Sequence, residues 1–367
     1  MKSISDMFSC ENRTAACTFL LGLCGLLTIA SSQSAADRPL HLVLRQLVFL
    51  AVALILMAAA ARIRFDFWRK HTPELFLLFW FLLLLLPFFG SRINGMRGWF
   101  RIGPLSFQPS ECGRPFFLLA LVSVFCGVPA GVKRLAASGL LTVLWLTPIC
   151  LQPDFGTVMI YAFAFLIIYF LSGAPWKHLL LLAAGACVSA TAVVSAHPYV
   201  LKRFSGFLFP ERDPMGSGWH VRQFELAAAR GHWFGSKLGS AVWSNAYLPF
   251  SYNDSAGATL IETLGVAGAA VPALLFAILL LALHRLAGRA GLSETARLFI
   301  AGTAVFLGLQ VLVHMGINLA ILPPSGLVLP FISYGGSSLA GCCVMLGIAL
   351  SASKGNDRKN KSLSLTT

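Results

Sequence analysis

The sequence predicts an all-α, polytopic membrane protein with about ten transmembrane helices, and three observations carry that prediction. Hydrophobic residues make up 57% of the 367 residues and charged residues 11%, with a mean hydropathy of +0.77. A water-soluble globule cannot hide this much apolar surface. The apolar residues gather in runs near the roughly 20 residues that cross a bilayer as a helix. The gaps between runs are short, except for a polar, glycine-rich block over 202–265 that separates the seventh run from the eighth.

In chain order the expected spans are 15–31, 40–61, 73–90, 115–131, 135–150, 155–173, 176–196, 255–284, 296–322 and 331–351. Lys2 and Arg13 before the first run and Ser-Ala-Ala after it give that run some likeness to a signal peptide. Its long apolar part and the many spans behind it favour a retained helix. Orientation follows from the basic residues. Arg62, Arg64, Arg69 and Lys70 share one gap, Lys133 and Arg134 a second, Lys177 a third, and Arg285, Arg289 and Arg297 a fourth. These are alternate gaps, so the positive-inside rule places them in the cytoplasm with both termini and the basic tail. The block over 197–254 then forms a large extracytoplasmic loop between helices 7 and 8. One outward gap breaks the rule with Arg92, Arg97 and Arg101, which suggests a use for positive charge on that side.

The formal charge of +14 would suggest nucleic acid in a soluble protein. Here the basic residues act as topology signals, and no nucleic-acid partner is expected. The nine cysteines lie mostly within apolar runs without CxxC or Cys/His metal spacing, which predicts packing roles and no disulfide framework.

Four motifs carry chemistry. The first runs from Asn94 through Arg97, Trp99, Arg101 and Gly103 to Gln108, Pro109, Ser110, Glu111 and Arg114. Pro109 suits a first helical position, Glu111 falls in the first turn, and Arg114 lies three residues on, in reach for an ion pair. Two readings stand for that pair: a buried strut, or a direct role at a substrate. The second motif is Leu151-Gln152-Pro153-Asp154-Phe155-Gly156-Thr157. The third is the polar block, with Arg203, Asp213-Pro214, Gly218-Trp219, Gln223 and Leu248-Pro249, ending at Asp254 and, about two helical turns later, Glu262. The fourth runs from Asn318 through Pro323, Gly326 and Pro330 to Ser333-Tyr334-Gly335-Gly336-Ser337-Ser338. Its prolines and glycines cannot hold one regular helix, so a re-entrant or broken segment is expected. Ser333, Ser337 and Ser338 would line a headgroup cavity or form a tight packing corner.

In this order the four motifs resemble those of the SEDS family (FtsW, RodA and SpoVE), and with the span count the resemblance covers nearly the whole chain. Phe250 and Thr263 stand where the family has glutamates, Asn253 where it has threonine, Gly98 where it has arginine and Arg114 where it has lysine. The resemblance implies a peptidoglycan glycosyltransferase that polymerises lipid II by inverting transfer. The division-type branch is favoured over the elongation type on Asp37-Arg38-Pro39, Arg45-Gln46 and Phe67-Trp68-Arg69-Lys70. It also implies a class B penicillin-binding protein as partner and a bacterial cytoplasmic membrane location. On this basis residues 1–351 form one SEDS-type transmembrane domain and 352–367 a basic cytoplasmic tail. Readings without polymerisation are a lipid II flippase or a division scaffold.

Such a reaction needs a base for the sugar hydroxyl and positive charge for the departing pyrophosphate. Asp254 is the candidate base, since partial desolvation at the bilayer edge raises a carboxylate pKa. His220 and His232 are read as interfacial. Arg97, Arg101, Arg203 and Arg222 are candidates for the pyrophosphate. Substrate contacts are expected among Arg97, Arg101, Gln108, Ser110, Arg203, Trp219, Gln223, Ser333, Ser337 and Ser338. Glu111, Arg114, Asp154 and Glu262 are expected in structural pairs, the last two with arginine. No metal ligand or cofactor is assigned, and a divalent metal is left open. The remaining partners are membrane lipids.

Overall fold

The computed structural model describes residues 9–32, 39–93, 96–103, 105–196, 198–236, 241–248 and 250–355. The apolar runs become helices because a backbone removed from water must satisfy its own amides. In chain order come α1 (Cys10–Ser32), α2 (Pro39–Arg62), the short α3 (Phe65–Lys70) and α4 (Thr72–Phe89). Three strands follow, β1 (Ser91–Ile93), β2 (Met96–Ile102) and β3 (Leu105–Phe107), then α5 (Pro109–Cys112), α6 (Arg114–Gly127), α7 (Val132–Cys150), α8 (Phe155–Leu171) and α9 (Trp176–Ala196). The polar block holds α10 (Pro198–Leu208), a 3₁₀ turn, α11 (Trp219–Gly231) and α12 (Val242–Tyr247), and the chain closes with α13 (Ala256–Ala287), α14 (Glu294–Asn318) and α15 (Gly336–Ser353).

Among the described residues, seven helices are long and apolar enough to cross a membrane, α1, α2, α4, α7, α13, α14 and α15, while α6, α8 and α9 are shorter apolar helices. Each of the ten expected spans thus contains a helix, and the chain is a multi-pass membrane protein. α15 is central: 72% of its apolar stretch is buried, against 17% for α4, which therefore turns most of its surface outward. A side chain at Gly341 would strike the Glu111 carbonyl oxygen, so α15 and α5 meet backbone to backbone.

The gap after α4, expected as a loop, is an antiparallel sheet. Trp99 pairs with Ser91, and Phe100 with Phe107. Gly103 turns the chain after β2 with φ +58°. Spans keep their prolines by borrowing donors from neighbours. Pro87 cannot supply an amide to Leu83, and Gln152 Nε2 donates to that carbonyl instead at 3.3 Å. Pro148 likewise frees the Leu144 carbonyl, which accepts from Trp80 Nε1 at 2.8 Å. α4 is therefore stitched at these breaks to α7 and to the segment that follows it.

α13 is interrupted at Gly265, whose φ of 70° and ψ of −178° belong to glycine alone. The groups freed there are taken up by the polar block. Val266 N donates to His232 O and Ala267 N to Trp233 O, each at 3.0 Å, while Ser236 N donates to Glu262 O at 2.9 Å. Between α14 and α15 the chain is irregular over 319–335, as its prolines and glycines require. Its backbone is held by side chains of surrounding helices: Gln310 Nε2 donates to Val328 O at 3.1 Å, Gln46 Nε2 to Ser333 O at 3.3 Å, and Gly335 N to Gln46 Oε1 at 3.3 Å.

Candidate active site around Asp254

Asp254 closes the turn between α12 and α13, directly before the helix start. It is half-buried. The turn is fixed from two sides. Tyr334 N donates to Tyr252 O at 2.8 Å and Ser333 Oγ to Asn253 O at 2.7 Å, while Asn318 Nδ2 donates to Asp254 O at 3.1 Å. The carboxylate lies against Gly326, where a β-carbon would stand 3.5 Å from Oδ2. The irregular segment thus approaches the carboxylate at Gly326.

Burial pushes the Asp254 carboxyl up from 3.8 to about 7, with the Arg203 guanidinium pulling it down and the Asp154 carboxylate pushing it up. An apolar environment disfavours the charged form, and a group poised near neutrality suits general-base work. Arg203, exposed on α10, borders a 340 Å³ pocket with Lys202, Ser217, Trp219 and His220. Burial, and next the Arg203 charge, lower the pKa of His220. Two cations thus edge the pocket, with Asp213 near Lys202, and the Arg203 charge reaches the candidate base.

The second motif approaches from the other flank. Asp154 caps α8, accepting from Thr157 N at 3.1 Å, and its Oδ2 lies 3.5 Å from Gln108 Nε2. Gly156 packs on the side chains of Ser325 and Leu327, so the start of α8 and the Asp254 turn both border the 325–327 segment. Gln108 N donates to Ser337 Oγ at 3.0 Å, and Ser337 Oγ donates to Ser106 O at 3.3 Å. All four motifs therefore converge on one end of the bundle.

The other expected contacts distribute unevenly. Arg97 turns inward, its Nη1 donating to Pro87 O at 2.5 Å, whereas Arg101 is exposed at the end of β2. Ser110 is buried with its carbonyl accepting from Tyr161 Oη at 2.6 Å. Gln223 and Ser338 are also buried. Ser333 receives Leu329 N at 2.8 Å and closes a turn of the irregular segment. Glu111 and Arg114 form a buried pair at 2.5 Å. Glu262 binds the start of α12, accepting from Trp243 N at 2.9 Å, Ser244 N at 2.7 Å and Ser244 Oγ at 2.5 Å. Arg230 stands farther off at 3.9 Å. Backbone amides, more than the expected arginine, hold this carboxylate. Among the described residues, no three His, Cys, Asp or Glu side chains gather as a metal site would need.

Sequence reasoning passed over Gln310, His314 and the side chain of Asn318. All three are fully buried on α14. Their signal was available: polar residues four apart along an otherwise apolar span mark one inward face.

The chain resembles known proteins along nearly its whole length. The FtsW/RodA/SpoVE model, described as cell cycle protein, matches residues 11–358. Among similar proteins, the probable peptidoglycan glycosyltransferase FtsW of Nitrosococcus halophilus is 35% identical over 89% of this chain and 86% of its own length. The protein of the same name from Coxiella burnetii is 36% identical over 91% and 93%. A chain from a peptidoglycan synthase complex, solved to explain how polymerization and crosslinking are coordinated, superposes with a TM-score of 0.78 at 33% identity, covering 92% of this chain and 97% of that one. The rod shape determining protein RodA of Thermus thermophilus gives 0.70 at 28% identity over 93% and 95%. With its motifs brought to one site and a family match along nearly its whole length, the chain belongs to the FtsW/RodA/SpoVE family of cell cycle proteins.

Proposed function

We propose that this protein polymerises lipid II into glycan strands as a division-type peptidoglycan glycosyltransferase, with Asp254 as general base. The observation that carries the reading is the placement of Asp254: a half-buried carboxylate just ahead of a helix, raised to about 7 and within electrostatic reach of Arg203, which edges a pocket with Lys202. In the reaction Asp254 takes the proton of the acceptor sugar hydroxyl as that oxygen bonds to the anomeric carbon. The bond from that carbon to the polyprenyl pyrophosphate breaks, and the pyrophosphate leaves with the electron pair toward Arg203 and Lys202. Attack opposite the leaving group inverts the anomeric centre.

In this reading residues 1–351 are one transmembrane domain whose 197–254 loop lies outside the cytoplasm, and the termini and the 352–367 tail lie within it. A class B penicillin-binding protein supplies crosslinking and membrane lipids surround the bundle. Purified protein, with and without such a partner, is incubated with lipid II and the products are separated by size. Wild type yields polymer, and Asp254→Asn loses about 10²–10⁴-fold of the rate. An active Asp254→Asn would remove the base assignment. Wild-type protein that moves lipid II across vesicles without joining it would favour transport.

A further inference from the structure

We propose that His314 and Asn318 are positioning residues which cap α13 from α14 and thereby set where the Asp254 carboxylate sits. The first amides of any helix lack intrahelical partners and need acceptors. Ser255, at the N-cap position, gives α13 no side-chain cap. The acceptors come instead from a different helix. Gly257 N donates to His314 Nε2 at 3.2 Å and Ala258 N to Asn318 Oδ1 at 2.9 Å.

Both capping side chains also grip what surrounds Asp254. Asn318 Nδ2 donates to the Asp254 carbonyl at 3.1 Å, so one amide group holds the residue and the helix behind it. His314 Nδ1 lies 2.7 Å from Leu327 O, next to the Gly326 backbone on which the carboxylate packs. A carbonyl only accepts and a backbone amide only donates. His314 is therefore a neutral imidazole with its hydrogen on Nδ1, fixed in that tautomer from both ends. His314 and Asn318 are each wholly buried, and one turn of α14 separates them. A single rigid face of α14 thus references the base's backbone and the segment opposing its side chain. The groups facing Asp254 are Arg203 of α10, Asp154 ahead of α8 and Tyr252 of its own turn; α14 adds no charge among them and acts by placement.

The inference rests on Asp254 being the base, and the test separates the two claims. Initial rates of lipid II polymerisation are measured across pH for wild type, Asp254→Asn, His314→Leu, His314→Gln and Asn318→Leu, normalised to folded protein by melting and gel filtration in detergent. A misplacement near 1 Å lowers rates about a hundredfold, so kcat falls by that order in His314→Leu and Asn318→Leu while the KM for lipid II holds within about twofold. The acid limb of the pH profile moves with it. Glutamine can accept from Gly257 and donate to Leu327, so His314→Gln recovers kcat to within about tenfold of wild type. An inactive Asp254→Asn beside leucine variants with wild-type kcat and acid limb overturns the positioning role alone. An active Asp254→Asn overturns the base. Should the leucine variants not fold, Asn318→Ser carries the test: an acid limb and kcat unchanged in it also overturn the positioning role.

Discussion

Arg114 Nη2 donates to Glu111 Oε1 at 2.5 Å with both side chains buried, and the same guanidinium donates through Nη1 to Gln310 Oε1 at 2.6 Å. Gln310 in turn reaches Val328 O. The ion pair therefore ends a chain of contacts that crosses α14 to the irregular segment. Removing one charge leaves the other buried and unpaired, so Glu111→Gln or Arg114→Met each lowers stability by about 3–5 kcal/mol. The double variant loses less than the two single losses added. Melting in detergent of all three variants measures the coupling.

With Asp254 as the proposed base, polymerisation is expected to depend on pH through it. A base works ionised, so with its pKa near 7 the rate falls about tenfold per pH unit on the acid side. Arg203→Ala removes the charge that pulls this pKa down, and the acid limb moves to higher pH. Stability responds with the opposite sign to activity. The folded pKa lies above the ordinary 3.8, so the folded state binds more protons and stability declines as pH rises from that value through about 7. Asp254→Asn therefore melts higher than wild type at pH 8 while being inactive, which a melting series against pH reads directly.

At Gly265 an added β-carbon would stand 2.5 Å from the Trp233 carbonyl carbon and oxygen, and φ is +70°. Gly265→Ala combines a backbone clash with about 1–3 kcal/mol of conformational strain. A lower melting temperature and slower polymerisation are expected together, because the same break anchors the polar block.

Glu262 neutralises the amide end of α12 from inside the bundle. Glu262→Ala leaves those amides without their acceptor, at about 1–3 kcal/mol. Limited proteolysis should then cut faster between α11 and α12 than in wild type, while cleavage after α15 stays the same.

Hydropathy made the spans legible because length and apolar composition are what a bilayer selects. Asp254 stood out as a carboxylate ahead of an apolar run. Spacing could not show the sheet of Ser91 to Phe107, whose short strands carry arginine and glycine among their aromatics. Nor could it reveal the break at Gly265, since hydropathy averages over a backbone angle. Arg97 looked like a cation awaiting phosphate, but the Pro87 carbonyl at the end of α4 is within its reach. Glu262 suggested an arginine partner, yet its main partners lie on a short helix whose position depends on the tertiary fold. Sequence named the charged residues well; the acceptors and donors that hold them are contributed by distant segments.

The carbonyls of His232 and Trp233 complete the hydrogen bonding of α13 across its break. Polar block and membrane helix are thus knitted into one element, with no seam between them. A graft exchanging only the block between related proteins has to rebuild the contacts to Val266 N and Ala267 N of the recipient helix. The natural transferable cassette is the block together with all of α13, which carries those contacts across intact.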